Sequence, residues 1–197
     1  MGTINIQPNS GCIEFIFANI NRIGLQCCKN EMMITIMTVN QADSLSGKVV
    51  LITAGGSGIG RTIVEAYLAL GAKVHTCDIS QSLLDESLNN HPTLTVSVCD
   101  VSDQSQVESM FDDVKKHYGH LDILINNAGI SGATAAIEDV EVEDWDRTVA
   151  VDLRGTFLVT RLAVPLLKQA GGGSIINMSS NAGLFGTPLR SPYAAAK

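Results

Sequence analysis

The chain has 197 residues, of which 45% are hydrophobic and 17% charged, a composition typical of a globular domain with one sizeable core. Its net charge of −7 and the lack of a Lys/Arg cluster argue against a nucleic-acid partner or an anionic membrane surface. Five cysteines without metal-ligand spacing predict buried, reduced thiols rather than a metal site or a disulfide framework, and therefore a cytoplasmic protein.

Residues 1–46 differ in composition from the rest of the chain. They are rich in Asn, Ile, Met and Cys and show no hydrophobic period. The apolar stretch at 12–23 is short, is interrupted by polar residues and follows no charged segment, so it predicts neither a signal peptide nor a membrane span. We expect a poorly ordered N-terminal extension, followed by a domain over residues 47–197.

Predicted strands and helices alternate from residue 48 onward. The strands are 48–53, 72–77, 93–99, 121–126 and 174–178. The helices run from the end of the glycine-rich run at Gly60 to about residue 70, and over 81–89, 103–118 and 142–169, with a kink or interruption at Pro165. Because the strands are almost continuously apolar, they predict a parallel sheet that is buried on both faces. Right-handed crossovers then predict a doubly wound α/β fold with three α/β/α layers and strand order 3-2-1-4-5.

A glycine-rich turn joins the first predicted strand to the first helix. Its sequence is Thr53-Ala54-Gly55-Gly56-Ser57-Gly58-Ile59-Gly60. Small residues there let a pyrophosphate approach the backbone, with its charge at the helix N-terminus. Asp78, which ends the second strand, is placed to accept hydrogen bonds from an adenosine ribose, or else to cap the helix near Ser80. A carboxylate at the ribose favours NAD over NADP, although the Arg61 cation nearby would tolerate a phosphate.

Polar residues also end the third and fourth predicted strands. Asp100-Val101 closes the third strand, where the aspartate is a candidate cap for the helix after Ser102. The run Asn126-Asn127-Ala128-Gly129 follows the fourth strand. Paired amides at a strand end can bond the neighbouring backbone and hold the sheet open for a cofactor.

A tyrosine and a lysine stand four residues apart in the closing run, where Tyr193 and Lys197 share one face of a predicted helix. A lysine ammonium beside a phenol favours the phenolate, which makes Tyr193 a usable acid and base near neutral pH. Ser180 follows the fifth strand, thirteen residues before the tyrosine. Taken alone, such a serine predicts a helix cap.

In this order, the motifs of residues 47–197 resemble those of the short-chain dehydrogenase/reductase family. The resemblance implies NAD(P)-dependent hydride transfer between nicotinamide and a secondary alcohol or ketone. It implies that Tyr193 acts as acid and base, that Lys197 assists it and binds the nicotinamide ribose, and that Ser180 polarises the substrate oxygen. For the remaining cofactor-binding residues, the resemblance implies the following set: Gly55, Ser57, Gly58, Ile59, Gly60, Asp78, Asp100 and Val101 at the adenine, Asn127, Ala128 and Gly129.

The chain departs from the family pattern at two residues. Ala54 stands where the family has its first glycine, a change that adds a methyl group and is expected to leave nucleotide binding intact. Asp152 stands at the fourth catalytic position, which is normally Asn and helps to hold a water linked to the lysine, partly through its main-chain carbonyl. A carboxylate there would attract the Lys197 ammonium and weaken its hold on Tyr193.

The resemblance also implies segments after Lys197: the rest of the Tyr/Lys helix, two strands and the loop that closes over substrate. We therefore expect little turnover from the 197-residue chain itself. The complete form is expected to be a homo-oligomer that uses the helical segment 142–169 and the Tyr/Lys helix. The alternative is a non-catalytic nucleotide-binding fragment or pseudoenzyme.

Overall fold

The structure is a computed structural model that describes residues 45–197 and four short strands before them. These strands are β1 (Asn5–Ile6), β2 (Ile13–Phe15), β3 (Leu25–Cys28) and β4 (Glu31–Met33), which form an antiparallel sheet in chain order. The chain divides into two compact units, Met1–Leu45 and Ser46–Lys197. The expected poor order of residues 1–46 falls mostly outside the described residues.

The second unit alternates strands and helices along its length. Its elements are β5 (Val49–Thr53), α1 (Gly58–Ala69), β6 (Lys73–Asp78), α2 (Gln81–Asn90), β7 (Thr95–Val98), α3 (Gln104–Tyr118), β8 (Ile123–Asn126), a 3₁₀ turn (Ile137–Asp139), α4 (Val142–Val149), a π-helical turn (Ala150–Gly155), α5 (Thr156–Gln169), β9 (Ser174–Asn177), α6 (Asn181–Phe185) and α7 (Ser191–Ala196). The predicted strand boundaries agree with these to within two residues.

The five strands form one parallel sheet in the order β7-β6-β5-β8-β9, which confirms the predicted fold and strand order. The central strand β5 is buried along its whole length, since Val49 to Ile52 are 0% exposed. Successive side chains of a strand face opposite sides of a sheet, so both faces of β5 must be covered. Helices α3 and α5 cover one face, where Phe111 and Leu166 pack with Leu51. Helices α1 and α2 cover the other.

The predicted single helix over residues 142–169 is wrong in one respect, because the irregularity lies at the π-helical turn and not at Pro165. Helix α5 runs through Pro165, which is its tenth residue. The turn buries Val151, Asp152 and Gly155. Gly155 allows close packing here, because a Cβ at this position would approach Val101 Cγ2 to 2.8 Å.

In the part of the chain that the structure describes, no helix has both the length and the apolar character needed to cross a membrane. Among the same residues, no group of three His, Cys, Asp or Glu side chains is arranged to hold a metal ion. Cys77 and Cys99 are both free and buried.

Candidate active site

The polar motifs lie at one edge of the sheet, because the carboxyl ends of parallel strands lie at the same edge. The glycine-rich turn follows β5, Asp78 ends β6, Asn127 follows β8 and Ser180 follows β9. In the glycine-rich turn, the backbone of Gly60 lies close to neighbouring polar groups. A Cβ at Gly60 would collide with the Ala54 carbonyl and the Asn127 amide, so the first turn of α1 can lie here only because residue 60 has no side chain.

Ala54 takes a left-handed backbone conformation, with φ at +54°. The expectation that alanine adds only a methyl group at this position is therefore incomplete. A residue with a Cβ costs about 1–2 kcal/mol in this region, because the Cβ crowds the following carbonyl. The substitution of the family's glycine thus adds backbone strain in the turn that would face a nucleotide.

The N-terminus of α1 has no side-chain cap. The Ser57 hydroxyl accepts no hydrogen bond from the helix, whereas Ser80, Asp103 and Ser180 cap the N-termini of α2, α3 and α6. The first N–H groups of a helix have no partner within the helix and carry a partial positive charge. With the glycines before it, this 12-residue helix fits the pyrophosphate of a dinucleotide.

Asp78 is bonded to the glycine-rich turn. One of its carboxylate oxygens accepts from the Gly56 N–H at 3.1 Å, and the other accepts from the Ser80 N–H at 3.1 Å. The side chain that caps α2 is that of Ser80, which accepts from the Leu83 N–H, so Asp78 contributes at this helix end only by its bond to the Ser80 N–H. The Arg61 guanidinium is engaged elsewhere, since it lies 2.8 Å from Glu86 Oε1 and 3.6 Å from Glu65 Oε1.

Asp100 also differs from its predicted structural role. The N-cap of α3 is Asp103, whose carboxylate accepts from the N–H groups of Ser105 and Gln106. Asp100 instead accepts from the backbone and hydroxyl of Ser102 and, at 2.9 Å, from Arg147 Nη2. Partial burial raises the pKa of Asp100, but these hydrogen bonds outweigh burial and hold the pKa below its usual value.

The side chain of Val101 is buried in the core, at 5% exposure. A cofactor contact from this residue would therefore use its backbone.

The amides that follow β8 join neighbouring strands. Asn127 Nδ2 donates to the carbonyls of Thr53 and Ala54 at 3.0 and 3.1 Å, and the N–H groups of Asn127 and Ala128 donate to Thr53 Oγ1. Asn126 Nδ2 donates to Thr160 Oγ1 and to Asn177 Oδ1. These bonds connect β8 to β5 on one side and to β9 and α5 on the other, at the edge where a cofactor would lie.

The two serines after β9 have different partners. Ser180 Oγ caps α6 by accepting from the Ala182 N–H at 3.2 Å, and it donates to Asn181 Oδ1 at 3.3 Å. Ser179 Oγ donates to the Lys197 carbonyl at 2.8 Å. The cap role predicted for Ser180 alone is present. To accept a hydrogen bond from the Ser180 hydroxyl, a substrate oxygen would have to displace Asn181 Oδ1, whose bond to that hydroxyl is long at 3.3 Å.

Tyr193 and Lys197 lie one helical turn apart, and the Lys197 N–H donates to the Tyr193 carbonyl at 3.0 Å. Lys197 Nζ lies 5.8 Å from the centroid of the tyrosine ring and donates to the Met178 carbonyl at 3.3 Å. Gly129 leaves room for the ammonium, since a Cβ at Gly129 would lie 2.7 Å from it.

Asp152 forms an ion pair with the lysine. Its Oδ2 lies 3.6 Å from Lys197 Nζ, and the two side chains are 0% and 9% exposed. Its Oδ1 accepts from the Ile130 N–H at 2.7 Å, while its main-chain carbonyl accepts from Thr156 Oγ1 at 2.9 Å. The predicted attraction between this carboxylate and the ammonium is therefore present as a buried ion pair.

Sequence reasoning missed a second cation beside the tyrosine. The Arg190 guanidinium carbon lies 5.4 Å from the centroid of the Tyr193 ring. Arg190 stands three residues before the tyrosine, a spacing that brings side chains together at the start of a helix. That spacing is the signal that could have identified it.

The sequence profile of the family described as short chain dehydrogenase matches residues 48–197. The 3-oxoacyl-(acyl-carrier-protein) reductase FabG of Thermotoga maritima is 38% identical over 157 residues, which cover 78% of this chain and 63% of the relative. The crystal structure of levodione reductase matches with a TM-score of 0.73 at 36% identity, covering 77% of this chain and 61% of the other. That of NAD+-bound xylitol dehydrogenase matches with a TM-score of 0.75 at 28% identity, covering 78% and 60%. The chain thus spans less than two thirds of the length of these proteins.

Proposed function

The chain belongs to the short-chain dehydrogenase family, and we propose that the protein it forms is an NAD-dependent oxidoreductase acting on a secondary alcohol or ketone. The observation that carries the proposal is the uncapped N-terminus of α1, beside the Asp78 carboxylate and at the same sheet edge as the loop to Tyr193. It offers backbone donors for a pyrophosphate next to an acceptor for ribose hydroxyls.

We assign NAD rather than NADP because of the charges around the turn. Asp78 brings a carboxylate to the ribose end, where it would repel a 2′-phosphate. The cation that could offset it, Arg61, is paired with Glu86 and Glu65. The likeness to an NAD+-bound xylitol dehydrogenase supports the same assignment.

In the proposed reaction Tyr193 exchanges a proton with the substrate oxygen. When bound, the nicotinamide supplies the site that accepts or gives the hydride. In the oxidative direction the substrate hydroxyl loses its proton to the Tyr193 phenolate as its carbon loses a hydride, and a ketone results. The Ser180 hydroxyl donates to the same oxygen and stabilises the developing charge. Lys197, anchored by Asp152 and the Met178 carbonyl, binds the nicotinamide ribose.

The remaining predicted residues are assigned to the cofactor. Gly55, Ser57, Gly58, Ile59 and Gly60 form the pyrophosphate turn. Asp100 and the Val101 backbone lie at the adenine end, while Asn127, Ala128 and Gly129 line the nicotinamide half. Buried, free Cys77 and Cys99 support a reducing compartment such as the cytoplasm. Exposed Leu153 of the π-helical turn and Phe157 of α5, at 53% and 60%, support an oligomer interface along this part of the helical segment.

The second candidate is a nucleotide-binding protein without turnover. The buried pair between Asp152 and Lys197 favours it, because an ammonium held by a carboxylate assists the neighbouring phenol less. Both candidates share the nucleotide site and differ in the proton relay.

The first experiment is titration calorimetry of the 197-residue chain with NAD+ and NADP+. We expect tighter binding of NAD+, and we expect Asp78→Ala to improve NADP+ binding by about tenfold or more, since like charges in contact are costly. Asp112→Ala, which removes a carboxylate that is 77% exposed on α3, is the control and should change neither affinity. Equal affinities of the unaltered chain for the two nucleotides would refute the role of Asp78.

The second experiment separates the two candidates. The chain extended by the C-terminal segment of a relative is assayed for NAD+ reduction with a panel of secondary alcohols. Turnover that Tyr193→Phe abolishes without loss of NAD+ binding would establish the oxidoreductase. NAD+ binding without turnover across the panel would establish the non-catalytic alternative.

A further inference from the structure

Arg147 of α4 bridges two residues that follow β7. Its Nη2 donates to Asp100 Oδ2 at 2.9 Å, and its Nη1 donates to Ser102 Oγ at 2.8 Å. The same serine hydroxyl donates to Asp100 Oδ1 at 2.6 Å, and the Ser102 N–H donates to that oxygen at 2.9 Å. The carboxylate is thus held at both oxygens, one by the serine and the other by the arginine. It cannot rotate about its Cβ–Cγ bond without losing one of these contacts.

The hydrogen bonds leave one acceptor position of Asp100 open. A carboxylate oxygen can accept two hydrogen bonds. Oδ1 already accepts two, both from Ser102, whereas among the described residues Oδ2 accepts one, from Arg147. The Asp100 side chain is 27% exposed, so a ligand can reach it. The open position therefore lies on the oxygen that Arg147 holds.

The open position lies on the course that a dinucleotide would take along the sheet edge. The Asp78 carboxylate, at the end of β6, accepts from the Gly56 N–H of the glycine-rich turn. The next strand outward is β7, and the Cys99 N–H, just before Asp100, donates to the Asp78 carbonyl at 3.0 Å. A nucleotide with its pyrophosphate at the turn and its ribose at Asp78 would extend its base toward Asp100. Ile79, which is 68% exposed, offers an apolar surface to that base.

The neighbouring charges leave this contact to Arg147. Within residues 45–197, Asp100 is the one carboxylate at ion-pairing distance from Arg147, although α4 also carries Glu143 and Asp144 four and three residues earlier. The other arginine of this region, Arg154, donates to the main-chain carbonyl of Ser102 at 2.6 Å. It therefore holds the serine backbone and leaves the side chains of Ser102 and Asp100 to Arg147.

We infer that Arg147 is a positioning residue for recognition of the nucleotide base. By holding Oδ2, it aims the open acceptor position of Asp100 at the exocyclic amino group of adenine. The site then prefers a dinucleotide that carries adenine to one whose base has a carbonyl at this position. The inference rests on the proposed function, in that a nicotinamide dinucleotide is taken as the ligand. It adds to the nucleotide site a residue of α4, which lies outside the glycine-rich turn and the motifs at the strand ends.

The test is titration calorimetry of the 197-residue chain with NAD+ and with nicotinamide hypoxanthine dinucleotide. In hypoxanthine a carbonyl replaces the amino group of adenine, so an acceptor replaces a donor. We expect the unaltered chain to bind NAD+ about tenfold more tightly or more, because the analogue loses a hydrogen bond to a charged group. Arg147→Met should lower this ratio of affinities by about threefold or more, since the carboxylate is no longer fixed. Arg161→Met, which alters an exposed arginine of α5, is the control and should keep the ratio.

The ratio separates positioning from stability, because a general loosening of the fold would weaken both ligands alike. In Asp100→Asn the amide can donate as well as accept, so the preference for NAD+ should largely disappear. In that background Arg147→Met should leave the ratio unchanged, because the arginine acts through the carboxylate. Arg147→Gln carries the same expectation as Arg147→Met and replaces it if circular dichroism shows that the latter is unfolded.

Three results would overturn the inference: equal binding of the two dinucleotides by the unaltered chain, an unchanged ratio in the Arg147 variants, or the same fall of the ratio in the Asp100→Asn background. Each of them would leave the comparison of NAD+ with NADP+ unaffected. Failure of the chain to bind either dinucleotide would instead refute the proposed nucleotide site and this inference with it.

Discussion

Replacing Asp152 by asparagine should destabilise the second unit, although the two side chains have nearly the same shape. One carboxylate oxygen, Oδ1, accepts from the Ile130 N–H at 2.7 Å, and the other, Oδ2, has no hydrogen-bond partner among the described residues but lies 3.6 Å from the Lys197 ammonium. An asparagine has one oxygen and one NH₂ group at these positions. Whichever way the amide is oriented, its NH₂ group must face a donor.

The size of the effect follows from the geometry. Two unit charges 3.6 Å apart interact by about 4–5 kcal/mol at an effective dielectric constant near 20. The amide keeps one hydrogen bond and its packing, and water can relax around the ammonium, so we expect Asp152→Asn to lower the free energy of unfolding by about 2–3 kcal/mol. The comparison variant is Lys48→Met. The Lys48 side chain is 56% exposed and its ammonium lies 2.8 Å from Asp122 Oδ1, so its removal should lower the free energy of unfolding by less than about 1 kcal/mol.

The measurement is urea unfolding at pH 7, monitored by circular dichroism. The control is a double-mutant cycle with Lys197→Met. In the Lys197→Met background, Asp152→Asn should lower the free energy of unfolding by clearly less than it does in the unaltered chain. The pair is buried, so the loss should persist in 0.5 M salt, at about the same size. A loss below about 0.5 kcal/mol, or the same loss in both backgrounds, would refute the ion-pair reasoning.

Three further predictions concern stability. Ala54→Gly should raise the free energy of unfolding by about 0.5–1 kcal/mol, because it relieves the left-handed strain at φ +54° but adds backbone freedom to the unfolded chain; a lower stability would contradict the strain argument. Burial lowers the pKa of His75 from 6.5 to about 4, so the unfolded chain takes up the proton first as the pH falls. The free energy of unfolding should therefore be highest above pH 6.5 and fall by up to about 3 kcal/mol between pH 6.5 and 4. Urea unfolding at a series of pH values measures this decline, and His75→Gln should make it smaller. Removing Met1–Leu45 should change the free energy of unfolding of the remaining unit by no more than about 1 kcal/mol. A larger decrease, measured by scanning calorimetry, would show that the first unit stabilises the second.

The fold was predictable because its signals are local. Strands such as β5, whose sequence is Val-Val-Leu-Ile-Thr, are almost continuously apolar and are separated by turns of small and polar residues. This pattern and the handedness of crossovers restrict the sheet to a few strand orders, and the doubly wound order 3-2-1-4-5 is one of them. The edge at which the polar motifs meet follows from the parallel direction of the strands.

The details of the site were less predictable, because they depend on backbone angles and on neighbours distant in sequence. Asp100 and Asp103 are both plausible caps for α3, and only the extended backbone of Asp103, at φ −95° and ψ 115°, places its carboxylate over the helix end. The strain at Ala54 requires its φ angle. The contact between Asp152 and Lys197 joins residues with 44 others between them, so no hydrophobic period encodes it, and only the family resemblance predicts it.

The π-helical turn has a consequence for how chain length can vary here. A π turn closes its hydrogen bond over one more residue than an α turn does. Deleting one residue from Ala150–Gly155 would therefore let α4 and α5 merge into one regular helix, with the apolar face of α5 kept on the sheet. Because the turn itself accommodates the extra residue, the same deletion would leave the two flanking helices in register and change the side-chain directions of the turn's own residues, Asp152 among them. Among diverging copies of this gene, loss of one codon at this turn would thus preserve the fold and remove the ion pair.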